Sequence, residues 1–108
     1  MAHASLLQGT LDLLILRTLA LGPLHGVGIA DRIAQVTRGT FTVKAGSLFP
    51  ALHRLETKGL ITGEWGETAA RRRAKLYTLT KAGNKELAAQ EKSWSRVMVA
   101  IQAVLAMR

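Results

Sequence analysis

The distribution of apolar positions divides the chain into five stretches separated by glycines. From about Leu6 to Leu21, Leu7, Leu11, Leu14, Ile15 and Leu19 recur at helical spacing. Leu13, Leu16 and Ala20 make the same stretch apolar on its other faces, so it needs burial on more than one side. Gly22-Pro23 ends it. A second helix is predicted from about Gly26 to Arg38, where Ile29, Ile33 and Val36 share a face and Gly39 supplies the stop. Thr40 to Lys44 favours an extended conformation. A third helix is expected to begin near Gly46-Ser47. That start would place Pro50 in the first turn, where its missing N–H costs nothing. Leu48, Leu52 and Leu55 form its apolar face, and Gly59 with Leu60 reads as a Schellman ending.

Alternation then replaces the helical period. Leu60 to Trp65 and Lys75 to Leu79 read as two strands, joined by a long tip that carries Arg71, Arg72 and Arg73. Thr80 caps a last helix running to about Met107. Its large apolar residues, Leu87, Trp94, Met98, Ile101 and Leu105, follow spacings of seven, four, three and four, as in a coiled coil. The order is helix, helix, helix, hairpin, helix. This predicts a mainly α fold with a small β-hairpin: a winged helix-turn-helix unit over residues 1–80 and a long dimerisation helix over 81–108. Candidate interface residues are Leu7, Leu11 and Leu14 on the first helix. On the last helix they are Leu87, Trp94, Met98, Ile101 and Leu105.

Charge sharpens this picture. Of a formal net charge of +8, nearly all falls between Arg38 and Lys85, where ten basic residues face three acids. One surface is therefore strongly cationic and suits a polyanion. The chain has no cysteine, which excludes disulfides and thiolate metal sites. Its three histidines, His3, His25 and His53, lie in unrelated segments without partners at metal-ligand spacing, so no metal or other cofactor is implied. No P-loop, dinucleotide fingerprint or nucleophile elbow is present, which argues against an enzyme. The first residues lack the basic start of a signal peptide, and the first apolar run, interrupted by Asp12 and Arg17, is too short for a bilayer. A cytoplasmic protein without membrane contact is expected.

The third helix would be the recognition helix. Opposite its apolar face lie Pro50, His53, Arg54 and Thr57, with Phe49 at the flank and Ser47 at the start. Arg54 can donate two bonds to a guanine or grip a phosphate, and His53 and Thr57 can reach base edges or phosphates. Ser47, the helix N-terminus and the preceding Lys44 suit a phosphate. On the hairpin, Arg71, Arg72, Arg73 and Lys75 can clamp phosphates or enter a minor groove. Strand alternation brings all three arginines to one surface only if the tip is irregular. The same charges could also serve as a solvated cluster that protects a strand edge. Trp94, with Val97 and Met98 beside it, either fills a subunit interface or, paired with its two-fold mate, sandwiches a planar aromatic ligand.

Taken together these segments resemble the PadR family of transcriptional regulators over nearly the whole chain. Gly9-Thr-Leu-Asp-Leu-Leu-Ile-Leu16, Gly22-Pro-Leu-His-Gly26 and Ile29 are similar to the family's first two helices. Gly46-Ser-Leu-Phe-Pro-Ala-Leu-His-Arg-Leu-Glu56 with Gly59-Leu-Ile61 is similar to its recognition helix. Glu64-Trp-Gly-Glu67, Arg71-Arg-Arg73, Tyr77-Thr-Leu-Thr80 and Gly83 are similar to its wing. The resemblance implies a two-fold dimer whose last helix packs on the first and last helices of the other subunit. It implies repression at a pseudo-palindromic operator, often near the regulator's own gene, and release by a small aromatic effector. A single C-terminal helix fits the short subgroup. Ser93-Trp-Ser-Arg-Val97 is similar to the LmrR-type drug-sensing members, whose tryptophan at this place stacks on planar drugs. Phe49 and Val27 stand where the family commonly has tyrosine, and at Phe49 this removes a phenolic hydroxyl that could have met a phosphate.

Two other readings share these features. A non-specific architectural DNA binder would use the same charge. A protein-interaction module would use the apolar first and last helices and keep the basic face for solubility.

Overall fold

The computed structural model describes residues 8–108, so Leu7 lies outside the described residues. Its elements are α1 (Gln8–Ala20), β1 (Leu24–His25), α2 (Gly26–Val36), α3 (Ala45–Thr57), β2 (Ile61–Glu67), β3 (Arg73–Leu79) and α4 (Lys81–Leu105). The strands form one antiparallel sheet in the order β1-β3-β2. The fold is a winged helix-turn-helix, with β2 and β3 as the wing.

The core is the set of apolar faces read from the periodicity. α1 contributes Leu11, Ile15, Leu16 and Leu19; α2 contributes Ile29 and Ile33; α3 contributes Leu48, Ala51, Leu52 and Leu55. Ile61, Tyr77 and Leu87 close it from the sheet and α4. Leu11 and Leu87 were expected at a subunit interface; they are buried among the chain's own core residues. An all-round apolar helix such as α1 gives no sign of which side faces its own core. Leu14 is half-buried and packs on the edge of that core.

Two joints set the geometry of the wing. At the end of α3, Gly59 takes φ +74°, a conformation that glycine adopts without steric cost. The Leu60 amide then donates to the Leu55 carbonyl at 3.0 Å, closing the Schellman ending. At the start of α4, the Thr80 hydroxyl accepts from the Gly83 amide at 3.0 Å and donates to the Gly59 carbonyl at 2.7 Å. Gly83 packs directly on the Leu60 carbonyl, and a side chain there would collide with that backbone. The end of α3 and the beginning of α4 are thus one interlocked joint.

Three local expectations are corrected. α3 starts at Ala45 rather than Gly46-Ser47, so Pro50 stands inside the helix and not in its first turn. Without an N–H, Pro50 cannot donate to the Gly46 carbonyl, which lies in an exposed turn open to water. Thr40 to Lys44 forms no strand. The Phe41 amide instead bonds to the Thr37 hydroxyl at 3.1 Å, and Phe41 and Val43 tuck against the core. The third strand is the two-residue β1, where Leu24 pairs with Tyr77 and His25 with Leu76.

α4 has two parts. Gly83 and Leu87 are buried in the core. Beyond Trp94 every residue of the helix is exposed, and with this overhang the molecule measures 57 × 28 × 21 Å. Met98 is 54% exposed, Ile101 51% and Leu105 78%, and Val97, Val99 and Val104 are also exposed. No helix among the described residues is long and apolar enough to cross a membrane.

Candidate nucleic-acid interface

The outward side of α3 presents a row of exposed residues: Lys44, Ser47, Phe49, Pro50, His53 and Thr57. Lys44 is the N-cap residue in an extended conformation, and no side chain caps the helix start. The first amides of α3 are therefore available to an anion, and the helix dipole favours one there. Phe49 lays its ring where a side chain on Gly26 would stand, so α2 and α3 meet closely beneath this row.

Arg54 departs from the row. Its Nη2 donates to Oδ1 of Asp12 on α1 at 3.0 Å, and Asp12 is only 6% exposed. The Arg54 Nε is also buried and has no partner. A base-reading arginine needs a free guanidinium fork; here one edge of the fork anchors the recognition helix to α1. The polar Asp12 within an apolar helix was the sequence signal for such a partner.

The wing carries the arginines in two different settings. Residues 68–72 form an irregular tip. The Thr68 amide donates to the Arg72 carbonyl at 2.9 Å, the Arg71 amide to the Thr68 carbonyl at 2.8 Å, and the Arg72 amide to the Thr68 hydroxyl at 3.2 Å. Arg71 adopts φ +61°, which breaks strand alternation and leaves Arg71 and Arg72 exposed at the tip. Arg73 is already on β3, and its guanidinium lies 4.9 Å from the centroid of the Trp65 ring, a cation–π stack.

Lys75 points back toward α3. Its Nζ donates to Oε1 of Glu56 at 2.9 Å, and that hydrogen bond holds the ammonium above its ordinary pKa. Tyr77 beside it is buried, and burial raises its phenol pKa. The His25 Nδ1 sits 3.2 Å from the Lys75 carbonyl oxygen, linking β3 to the start of α2. Sequence reading counted Lys75 among the DNA-facing cations and gave Glu56 no role.

Between α3 and the wing lies a cleft of about 470 Å³, walled by Phe49, His53 and Glu56 on one side and Trp65, Arg73 and Lys75 on the other. Of the α3 row, Phe49 and His53 line it, and of the wing arginines, Arg73. On the far part of α4, Trp94 is half-buried, while Val97 and Met98 are exposed beside it. Among the described residues no cluster of histidine or acidic side chains could hold a metal ion.

Comparison with known proteins agrees with this architecture. A transcriptional regulator from Clostridium thermocellum superposes with a TM-score of 0.83 at 27% identity, over 92% of this chain and 96% of that one. A PadR-family transcriptional regulator from Eggerthella lenta gives a TM-score of 0.81 at 27% identity, over 97% and 89% of the two chains. An uncharacterized protein of Lysinibacillus sphaericus is 29% identical over 97 residues, covering 90% of this chain and 89% of the relative. Residues 15–89, from the buried half of α1 through the joint and into α4, match the transcriptional regulator PadR-like family. The chain belongs to the PadR-like family of transcriptional regulators and is a DNA-binding regulator.

Proposed function

We propose that the protein is a repressor that binds a pseudo-palindromic operator as a two-fold homodimer. The observation that carries this reading is the separation of two surfaces. The α3 row and the wing tip form a cationic edge, and the far part of α4 bears an unpaired apolar stripe. Two recognition helices linked through such a stripe would meet two half-sites one helical turn apart. Ser47, His53 and Thr57 with the α3 N-terminus enter the major groove. Arg71 and Arg72 reach the adjacent minor groove or its phosphates.

Residues 81–108 serve dimerisation in this scheme, although the helix through Leu87 also completes the winged core. Leu14, Trp94, Met98, Ile101 and Leu105 form the subunit contact. Trp94, Val97 and Met98 receive a planar aromatic effector, by stacking on the indole, and its binding releases DNA.

The test is fluorescence anisotropy of a labelled duplex from directly upstream of the gene against a scrambled duplex, across a salt series. Upstream binding tighter by about a thousandfold supports a sequence-specific regulator. Arg72→Ala is expected to weaken both duplexes alike and to lower the salt slope by about 1. Equal binding of both duplexes would instead favour an architectural DNA binder.

A further inference from the structure

We propose that Glu56 and Lys75 form a clamp that sets the angle of the wing relative to the recognition helix, so that both are positioning residues rather than DNA contacts. This rests on the DNA-binding reading above and assigns a function to two side chains that it leaves unused.

Glu56 is the penultimate residue of α3, and Lys75 is the third residue of β3. Their 2.9 Å contact joins the two elements that must enter neighbouring grooves. Both side chains are largely shielded, with 25% and 30% of their surface exposed, so the pair is less screened than an exposed one. The lysine reaches Glu56 along a track built for it. Lys75 is the direct cross-strand partner of Trp65, and Tyr77 that of Gly63, so all four lie on one face of the hairpin. The ammonium lies 5.8 Å from the ring centroids of both Trp65 and Tyr77. Its stem crosses Gly63: a Cβ there would sit 2.5 Å from the Lys75 Cε and 3.1 Å from its Cδ. Glycine at this strand position leaves the channel through which the lysine passes.

The leverage is geometric. From Lys75 to Arg72 the wing extends about 10 Å, so a rotation of about 10° at its base moves Arg72 by about 2 Å. That displacement is enough to separate a guanidinium from a phosphate oxygen it would otherwise bond.

The clamp and a direct phosphate contact predict opposite signs for Glu56→Gln and different salt slopes for Lys75→Met. If the pair is a clamp, Glu56→Gln and Lys75→Met each weaken operator binding, by roughly tenfold for residues sharing one hydrogen-bonded network, and leave the salt slope unchanged. If Lys75 grips a phosphate, Lys75→Met lowers the slope by about 1, while Glu56→Gln removes a negative charge and tightens binding. That second pattern would overturn the proposal. Gly63→Ala provides a charge-neutral variant: the strand accepts alanine, and the flexible lysine stem must shift to make room. It is expected to weaken binding in the same direction as Glu56→Gln and by less. The paired exchange Glu56→Lys with Lys75→Glu is expected to recover part of the affinity.

A DNA-free measurement separates the clamp from the regulator reading. In Glu56→Gln and Gly63→Ala, amide hydrogen exchange is expected to speed up across β2 and β3 and to stay unchanged in the core of α1. Unaltered exchange in the wing would sink the clamp whatever the DNA result. Faster wing exchange together with a wild-type protein that binds no duplex would sink the regulator reading and leave the clamp in place.

Discussion

Arg54 shows what a single residue can and cannot reveal before its neighbours are known. Its place on the polar side of α3 is legible from a rotation of about 100° per residue. The direction of a long, flexible side chain is not, and Arg54 turns sideways to a carboxylate 42 positions away in the chain. The apolar run of α1 contained the complementary sign in Asp12, a charge that burial penalises unless it is paired. Arg54→Ala is therefore expected to act first on stability. It leaves the Asp12 carboxylate buried without its donor and should cost about 1–3 kcal/mol, read as a lower urea midpoint with no DNA present. An unchanged midpoint accompanied by lost sequence preference would return Arg54 to the base-reading role.

Among the elements, the wing is where sequence reading went furthest and then stopped. Both strands, the basic tip and the Thr80 cap were legible because alternation and capping are local rules. The positive φ at Arg71, the stack of Arg73 on Trp65 and the turn of Lys75 toward Glu56 depend on register, which strand periodicity alone leaves open. β1 is too short to leave a pattern, and the Pro50 position depended on a helix start uncertain by a residue or two. The wing also has a defined pH response. The Glu56 hydrogen bond raises the Lys75 pKa, and burial raises that of Tyr77. A group that is more firmly protonated in the folded state adds stability below its unfolded pKa and loses it as the pH climbs through the folded value. Both groups thus leave the wing unaffected at neutral pH and weaken it above about pH 10. A urea midpoint followed by Trp65 fluorescence in a Trp94→Phe background should stay level from pH 7 to that limit and then fall, less steeply when Tyr77→Phe is added. A decline already under way between pH 7 and 9 would contradict this assignment.

At the scale of the whole molecule, the apolar last helix was legible, but its division of labour was not. Periodicity marks Leu87 and Leu105 as members of one stripe. Only the packing shows that the first is buried in the chain's own core and the second lies in water. A stripe of this size is expected to be covered by a second copy. Ile101→Glu would place a charge in the middle of that contact and should yield a monomer in sedimentation velocity, with the winged core still folded. A wild-type protein that is already monomeric at micromolar concentration would remove the basis for two linked half-sites.

The overhang of α4 has a consequence for how folded the protein is at any moment. Every residue of α4 beyond Trp94 is exposed, and a helix of that length without tertiary contacts is only marginally stable in water. In the proposed dimer its order would be supplied largely by association, so the helical content of each chain would depend on how many other chains are present. Abundance and structure would then become one variable: as the protein is diluted, the surface that aligns two recognition helices would fray before the recognition helices themselves do.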